Sequence, residues 1–180
     1  MYLMISTRPD ISYAVGQLAM YLNCHGPEHH AAALYPLRYV KGTRHLGITY
    51  SPNTSLEVVG YSDSDWAANI DTRRSTTGYI FYAAGGPISW KSKVQATVAL
   101  SSTEAEYMAL TSSAQEAMSL RKLQKAFKIS IASPVLIMKT IKERSQYLRI
   151  RLCIAPLSTS QLSNTLSAKK FKMETLVLNM

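Results

Sequence analysis

The stretch that decides the fold is residues 60–110, which read GYSDSDWAANIDTRRSTTGYIFYAAGGPISWKSKVQATVALSSTEAEYMAL. A strand-like run at residues 56–62 leads directly into Asp63 and Asp65. The helix predicted at the end of the stretch carries Glu106. Carboxylates that converge from a strand and a helix are what a two-metal phosphodiesterase site requires. The stretch therefore offers part of such a site, with Asp63, Asp65 and Glu106 as its candidates. The alternative is that the two aspartates are turn residues and Glu106 is a solvated acid on the helix.

Turn residues divide the rest of this stretch into further elements. Strands are predicted at residues 78–83 and 87–90, and residues 94–100 extend the sheet. Ser101 and Glu104 have the spacing of a capping box, which predicts a helix from there to about residue 127.

The chain before this stretch is predicted to be mainly helical. One helix opens at Pro9 and ends between residues 23 and 26, and a second covers residues 27–41. Pro36 lies inside the second helix, where proline costs about 3 kcal/mol. Short strands are predicted at residues 47–50 and 134–137.

Composition places limits on the class of protein. With 180 residues and 47% hydrophobic residues, the chain is expected to form one domain or one and a half. It has no apolar run of about 18 residues and no signal-peptide pattern, so we expect an intracellular protein without membrane insertion. The cysteines, Cys24 and Cys153, are expected to be reduced.

The net charge of +9 is concentrated in the tail. Residues 1–127 hold 11 basic and 9 acidic residues, whereas residues 128–180 hold 9 basic and 2 acidic ones. A generic RNA-binding module is one interpretation of this charge, and its signature is salt-dependent binding without sequence preference.

Other polar clusters have an ordinary structural explanation beside a functional one. A short segment combines a cysteine with histidines, but its spacing matches no closed zinc site, and a polar loop is the favoured interpretation; its residues are Cys24, His25, His29 and His30. Basic residues near the acids can meet phosphates or be solvated; they are Arg73, Arg74, Lys91 and Lys93. Trp66 and Trp90 are expected to pack in the core.

Several long motifs in one order give the chain a specific resemblance. They are TRPDISYAV, YVKGTRHLGITY, YSDSDWA, RRSTTGYIF, GGPISWKSK and ALSSTEAEYMAL. Together they resemble the end of the reverse transcriptase and the ribonuclease H domain of Ty1/copia-type retrotransposon Pol polyproteins. The resemblance covers residues 1 to about 137.

The resemblance implies an α/β fold, an incomplete ribonuclease H-like mixed sheet with helices. Residues 1–52 resemble the helical connection from the reverse transcriptase, residues 53–137 a truncated ribonuclease H domain, and residues 138–180 form a basic, poorly structured tail. The family's activity is Mg²⁺-dependent cleavage of the RNA strand of an RNA–DNA hybrid. Asp63 and Glu106 match the family's metal ligands, whereas Asp65 and Glu104 belong to the motifs without that role.

The family also requires a third acid, in a motif like Y-E-D-N-Q, which this chain lacks. Residues 138–142 read MKTIK where that motif is expected. Residues 138–143 can be encoded by ATG AAG ACA ATC AAG GAG. If a T precedes these codons, the frame that begins one nucleotide earlier reads TAT GAA GAC AAT CAA GGA. That frame encodes Tyr-Glu-Asp-Asn-Gln-Gly. A motif like T-K-H-I-D is also missing, and residues 157–161 yield Thr-Lys-His-Ile under the same shift. We therefore predict a frameshifted tail, a catalytically inactive pseudoenzyme and no bound Mg²⁺.

A second interpretation is a secreted effector. Arg44, His45, Leu46 and Gly47 resemble a degenerate form of the R-x-L-R translocation motif of secreted effectors from plant-pathogenic oomycetes, with glycine in the final position. Such a protein would enter the host cytoplasm or nucleus and modulate cell death through contacts with host plant proteins. The same four residues already lie within the copia-like segment.

Overall fold

The computed structural model describes residues 1–129, 134–141, 146–152 and 175–177, and beyond residue 139 only the backbone. The helices are α1 (Tyr2–Ser6), a 3-10 turn (Pro9–Ile11), α2 (Ser12–Ala19), α3 (Pro27–Gly42) and α4 (Ser102–Ala126). The strands are β1 (Val59–Asp65), β2 (Thr76–Ala83), β3 (Gly86–Val94), β4 (Val135–Ile141), β5 (Gln146–Leu152) and β6 (Thr175–Val177). Within the described ranges, no helix has both the length and the apolar character needed to cross a membrane.

The described strands form one mixed sheet in the order β3-β2-β1-β4-β5-β6. β1 is parallel to β4, and the other neighbouring pairs are antiparallel. Parallel neighbours require a crossover connection, and α4 lies in the connection that leads from β3 to β4. This architecture confirms the predicted fold class, a partial ribonuclease H-like α/β fold.

The core lies between α4 and one face of the sheet. Apolar residues from α4, from β2 and β4 and from the residue before β1 form a single buried cluster, which contains Val58, Tyr79, Phe81, Leu110, Ala114, Ala117, Val135 and Ile137. Phe81 is completely buried, and its ring occupies the space that a side chain at residue 60 would need. Because residue 60 is a glycine, the Phe81 ring of β2 can pack directly against the backbone of β1.

The start of α4 follows from its sequence. The Ser101 Oγ accepts a hydrogen bond from the Glu104 backbone N–H at 3.1 Å. The Glu104 carboxylate in turn accepts one from the Leu100 backbone N–H at 2.6 Å. These two bonds satisfy donors that would otherwise be unpaired at the helix N-terminus. The Ser101 half of the predicted capping box is thus present, whereas the Glu104 carboxylate bonds the backbone N–H of Leu100 and not that of Ser101.

The N-terminal helices lie against the sheet face opposite α4, near β3. The Trp90 Nε1–H donates to the Met4 carbonyl at 2.6 Å and ties α1 to that strand. The third helix, α3, contains no buried residue, and it continues through Pro36 as predicted. The sheet thus has an apolar helix-covered face and a second face that the N-terminal segment partly covers.

Four predictions about local structure were wrong. The strand predicted at residues 56–62 begins at Val59 and continues to Asp65, so the two aspartates lie inside β1 and not after it. Residues 47–50 form no strand, because Tyr50 instead packs over the β2–β3 turn and its hydroxyl donates to the Pro87 carbonyl at 2.8 Å. Residues 95–100 leave the sheet, because the Gln95 side chain donates to both the Thr77 hydroxyl at 3.0 Å and the Ala105 carbonyl at 2.9 Å. The first long helix is shorter than predicted. Its last residue is Ala19, and turns follow it.

The boundary proposed at residue 138 falls inside β4, which continues to Ile141. Of the predicted tail, the structure describes residues 138–141, 146–152 and 175–177, all of them in strands. The rest of the predicted frameshifted segment lies outside the described residues.

Candidate functional site

Strand alternation decides where the two acids of β1 point. Ser62 and Ser64 are buried, whereas Asp63 and Asp65 are exposed. Successive side chains of a strand point to opposite faces of the sheet. Because the residues of β2 opposite Ser62 and Ser64 face α4, Asp63 and Asp65 lie on the other face.

The two aspartates line a cavity of about 380 Å³ on that other face. The N-terminal segment forms one wall through Pro9 and Tyr13, and Met138 contributes from β4, the strand next to β1. The Tyr13 hydroxyl donates to the Asp65 carboxylate at 3.5 Å. Burial, followed by the nearby Asp65 charge, raises the pKa of Tyr13. The cavity therefore presents carboxylates beside aromatic rings.

Glu106 lies on α4 and is engaged by a cation from the chain itself. The Lys139 Nζ is 2.6 Å from the Glu106 Oε2, and the side chains of Lys139 and Glu106 are 11% and 14% exposed. The same ammonium lies 5.1 Å from the centre of the Tyr107 ring. Lys139 stands opposite Ser62 in the β1–β4 register. The ion pair thus fills the space between α4 and the ends of the two central strands.

The residues present do not fit a two-metal site. Asp63 opens to a cavity that Glu106 does not line, and the Glu106 carboxylate already has an ammonium partner. Among the residues that the structure describes, no group of three or more acids, histidines or cysteines could hold a metal ion. The assignment of Asp63 and Glu106 as ligands stays a prediction from the resemblance, and no metal-dependent step follows from this geometry. Glu104 is used in the helix cap.

The other candidate residues have local structural roles. The His29 Nδ1 accepts a bond from the Gly26 backbone N–H at 3.0 Å, and the His29 ring packs 4.2 Å from that of Tyr21. Near it, the His25 ring bonds the Leu22 carbonyl, while Cys24 is exposed. In this part of the chain, which the structure describes, no metal-binding cluster forms from Cys24, His25, His29 and His30.

The remaining basic and aromatic candidates separate in space. Lys91 is exposed and lies opposite Tyr79 in the β2–β3 register, which places its side chain on the α4 face of the sheet, whereas Arg73 and Arg74 are exposed at a turn. Trp66 is half exposed, and its Nε1–H donates to the Ala99 carbonyl at 3.3 Å. The expectation that this tryptophan lies in the core is therefore wrong.

The translocation-like motif follows α3 directly. Its residues, Arg44, His45, Leu46 and Gly47, are all exposed. The Leu46 backbone N–H donates to the Thr43 carbonyl at 3.0 Å, so the motif begins in a turn at the helix end.

Sequence reasoning missed the network around Arg8. This side chain is 7% exposed, and it donates to the Thr43 carbonyl at 3.0 Å and to the Thr43 hydroxyl at 2.7 Å. It also pairs with Asp10 at 2.8 Å, and Tyr39 donates to the same carboxylate at 2.9 Å. The hydrogen bond from Arg8 is the main cause that lowers the pKa of Asp10. The motif TRPD contains the pair, but its partners lie about 30 residues away.

Comparison with known proteins identifies relatives of two kinds. The chain is 50% identical over 117 residues to secreted RxLR effector protein 161 of Plasmopara viticola, covering 65% of this chain and 82% of that protein. It is 45% identical over 122 residues to the retrovirus-related Pol polyprotein from transposon TNT 1-94 of Nicotiana tabacum, covering 68% of this chain and 9% of the polyprotein. The Pol polyprotein from transposon RE2 of Arabidopsis thaliana is 40% identical over 131 residues, which are 73% of this chain and 9% of that one.

No family model and no solved structure matches the chain. The chain thus spans most of one short relative and less than a tenth of the long polyproteins. The motif resemblance, the β1–β4 crossover architecture and these identities agree with one another. The chain therefore belongs to the family of retrovirus-related, copia-type Pol proteins and their short relatives.

Proposed function

We propose that this chain is a retroelement-derived ribonuclease H-like fragment without nuclease activity. The observation that carries the proposal is the ion pair between Glu106 and Lys139. Two-metal hydrolysis requires carboxylates that are free to bind both ions and to stabilise the attacking and leaving oxygens. Here one of the carboxylates matched to the family's ligands has an ammonium as its partner.

The arrangement of the other matched acid supports the same proposal. Asp63 lies in the cavity on the opposite sheet face, so it does not share a lined space with Glu106. The position at which the family carries its third acid is occupied by the MKTIK sequence of residues 138–142. The chain retains the ancestral scaffold, with the RNA–DNA hybrid as the ancestral substrate class.

A cleavage assay tests this proposal. The chain is incubated with a hybrid whose RNA strand is labelled, in Mg²⁺ and in Mn²⁺, beside a complete ribonuclease H as positive control. We expect no cleavage above background. The variants Asp63→Asn and Glu106→Gln distinguish the chain from a contaminating nuclease. Cleavage that both substitutions abolish would show that the chain is an active enzyme.

The frameshift hypothesis explains how the third acid was lost, and it has its own test. The codons of residues 138–143 must read as Tyr-Glu-Asp-Asn-Gln-Gly in the preceding frame. A nucleotide sequence that does not permit this translation eliminates the frameshift, while the inactivity proposal still depends on the assay above.

A second candidate function is suggested by the name of one relative, a secreted RxLR effector protein from Plasmopara viticola. The exposed turn at residues 44–47 is the segment that would act as its translocation motif. The Pol relatives match the chain as well, so the name of one relative does not decide between the two functions. Secretion of a tagged chain and its appearance inside plant cells would support the effector function. Retention of the tagged chain in the producing cell would exclude the effector function. Arg44→Ala is the matched variant, which removes the arginine of the translocation-like motif.

A further inference from the structure

We propose that the Lys139 ammonium is a built-in substitute for a divalent cation, held between α4 and the central strands, so that the chain folds independently of Mg²⁺. The inference rests on the proposed function for the assignment of Glu106 as the ancestral ligand. It goes further because it identifies which group of this chain has taken the place of the ion.

The Lys139 ammonium contacts one carboxylate and one aromatic ring, that of Tyr107, at 5.1 Å from its centre. Its Nζ lies 2.6 Å from the Glu106 carboxylate. On the same face of β1, the Ser62 and Ser64 hydroxyls are buried and have no hydrogen-bond partner among the described residues. Ser62 is the register partner of Lys139. A single carboxylate with an ammonium at hydrogen-bonding distance leaves no ligand set for a divalent ion, in agreement with the lack of a metal-binding cluster among the described residues.

Burial explains why a cation must be present there. Lys139 is 9% exposed, and the Glu106 side chain is 14% exposed. A carboxylate removed from water is strongly unfavourable unless a positive charge compensates for it. In a metal-dependent protein the ion supplies this charge, whereas in this chain β4 supplies it covalently. A covalent cation cannot dissociate, so the stability of the fold should not respond to Mg²⁺.

The experiment compares thermal unfolding with and without Mg²⁺ at constant ionic strength. The full chain should show the same melting temperature in both conditions. The variant Lys139→Glu replaces the ammonium by a second carboxylate beside Glu106. We expect this variant to be destabilised without Mg²⁺ and to gain roughly 3 to 6 °C at an Mg²⁺ concentration of about ten times its Kd.

The control variants separate charge from packing. Lys139→Met retains the length of the side chain without any charge, so it should lose stability and gain little from Mg²⁺. Lys139→Glu/Glu106→Gln retains only one carboxylate and should lose most of the Mg²⁺ response. Mn²⁺, followed by its paramagnetic resonance signal, reports binding directly and should bind only to Lys139→Glu.

Two results would overturn the inference. One is a melting temperature of the unmodified chain that rises with Mg²⁺ and ceases to do so in Glu106→Gln. The other is a Lys139→Glu chain that shows no response to Mg²⁺. If Lys139→Glu is unfolded without the ion, circular dichroism should show that Mg²⁺ restores its structure, and failure to restore it counts against the inference. The unfolding and Mn²⁺-binding experiments include no nuclease measurement. Cleavage of an RNA–DNA hybrid would therefore refute the proposed function without deciding this inference.

Discussion

Removing the charge of Lys139 should destabilise the fold far more than an exposed ion pair would allow. In Lys139→Met, the Glu106 carboxylate remains on α4, largely buried and without the ammonium now 2.6 Å away. Loss of one partner of a buried pair typically costs about 3 to 5 kcal/mol, compared with about 0 to 1 kcal/mol for an exposed pair. The side-chain exposures of 11% and 14% are much closer to those of a buried pair than to those of an exposed one, so we expect a loss towards the larger value.

A double-mutant cycle measures this effect. Urea unfolding, followed by circular dichroism, gives the free energy of unfolding of the chain, of Lys139→Met, of Glu106→Gln and of the double variant. We expect each single change to cost several kcal/mol and the double variant to recover most of the loss, because neutral residues of similar size replace both charges. The reasoning is refuted if both single variants lose less than about 1 kcal/mol, or if their losses simply add.

Two further predictions concern the core and the N-terminal network. Gly60→Ala places a Cβ against the Phe81 ring and should lower the free energy of unfolding by about 1 to 3 kcal/mol. In the control Gly78→Ala, the added Cβ would lie 3.9 Å from its nearest neighbour, the Asp63 carbonyl oxygen, so the loss should be far smaller. Urea unfolding compares the two variants. The hydrogen bond from Arg8 holds the pKa of Asp10 below its ordinary value in the folded chain, so the ionised carboxylate stabilises the fold above its unfolded pKa and loses this contribution as pH falls through the folded pKa. In thermal unfolding, the melting temperature should therefore fall more steeply below about pH 4 in the unmodified chain than in Asp10→Asn.

Much of the sheet could be predicted because its signals are local. The turn residues between β2 and β3 and the capping box at Ser101 act over a few residues. The end of β3 could not be predicted in this way, since the apolar residues after Val94 continue the strand pattern. It is the Gln95 side chain, through hydrogen bonds to β2 and α4, that fixes the chain outside the sheet.

The site was harder to predict because it depends on side-chain direction and on distant partners. In β1, the buried positions hold Ser62 and Ser64 instead of apolar residues, so the sequence gives no alternation that shows which face Asp63 takes. Lys139 follows an apolar run and resembles the start of a basic tail. Its burial depends on Glu106, which is 33 positions away in the sequence and adjacent only after α4 has packed.

The most direct test of the central claim, that an ammonium has replaced the metal, is a crystal structure of the chain grown with Mn²⁺. Anomalous scattering locates that ion independently of any assumption about the site. We predict no anomalous peak at Glu106 and the Lys139 Nζ within hydrogen-bonding distance of its carboxylate. An ion bound to Glu106 at about 2.1 Å, with Asp63 as a second ligand, would contradict the account.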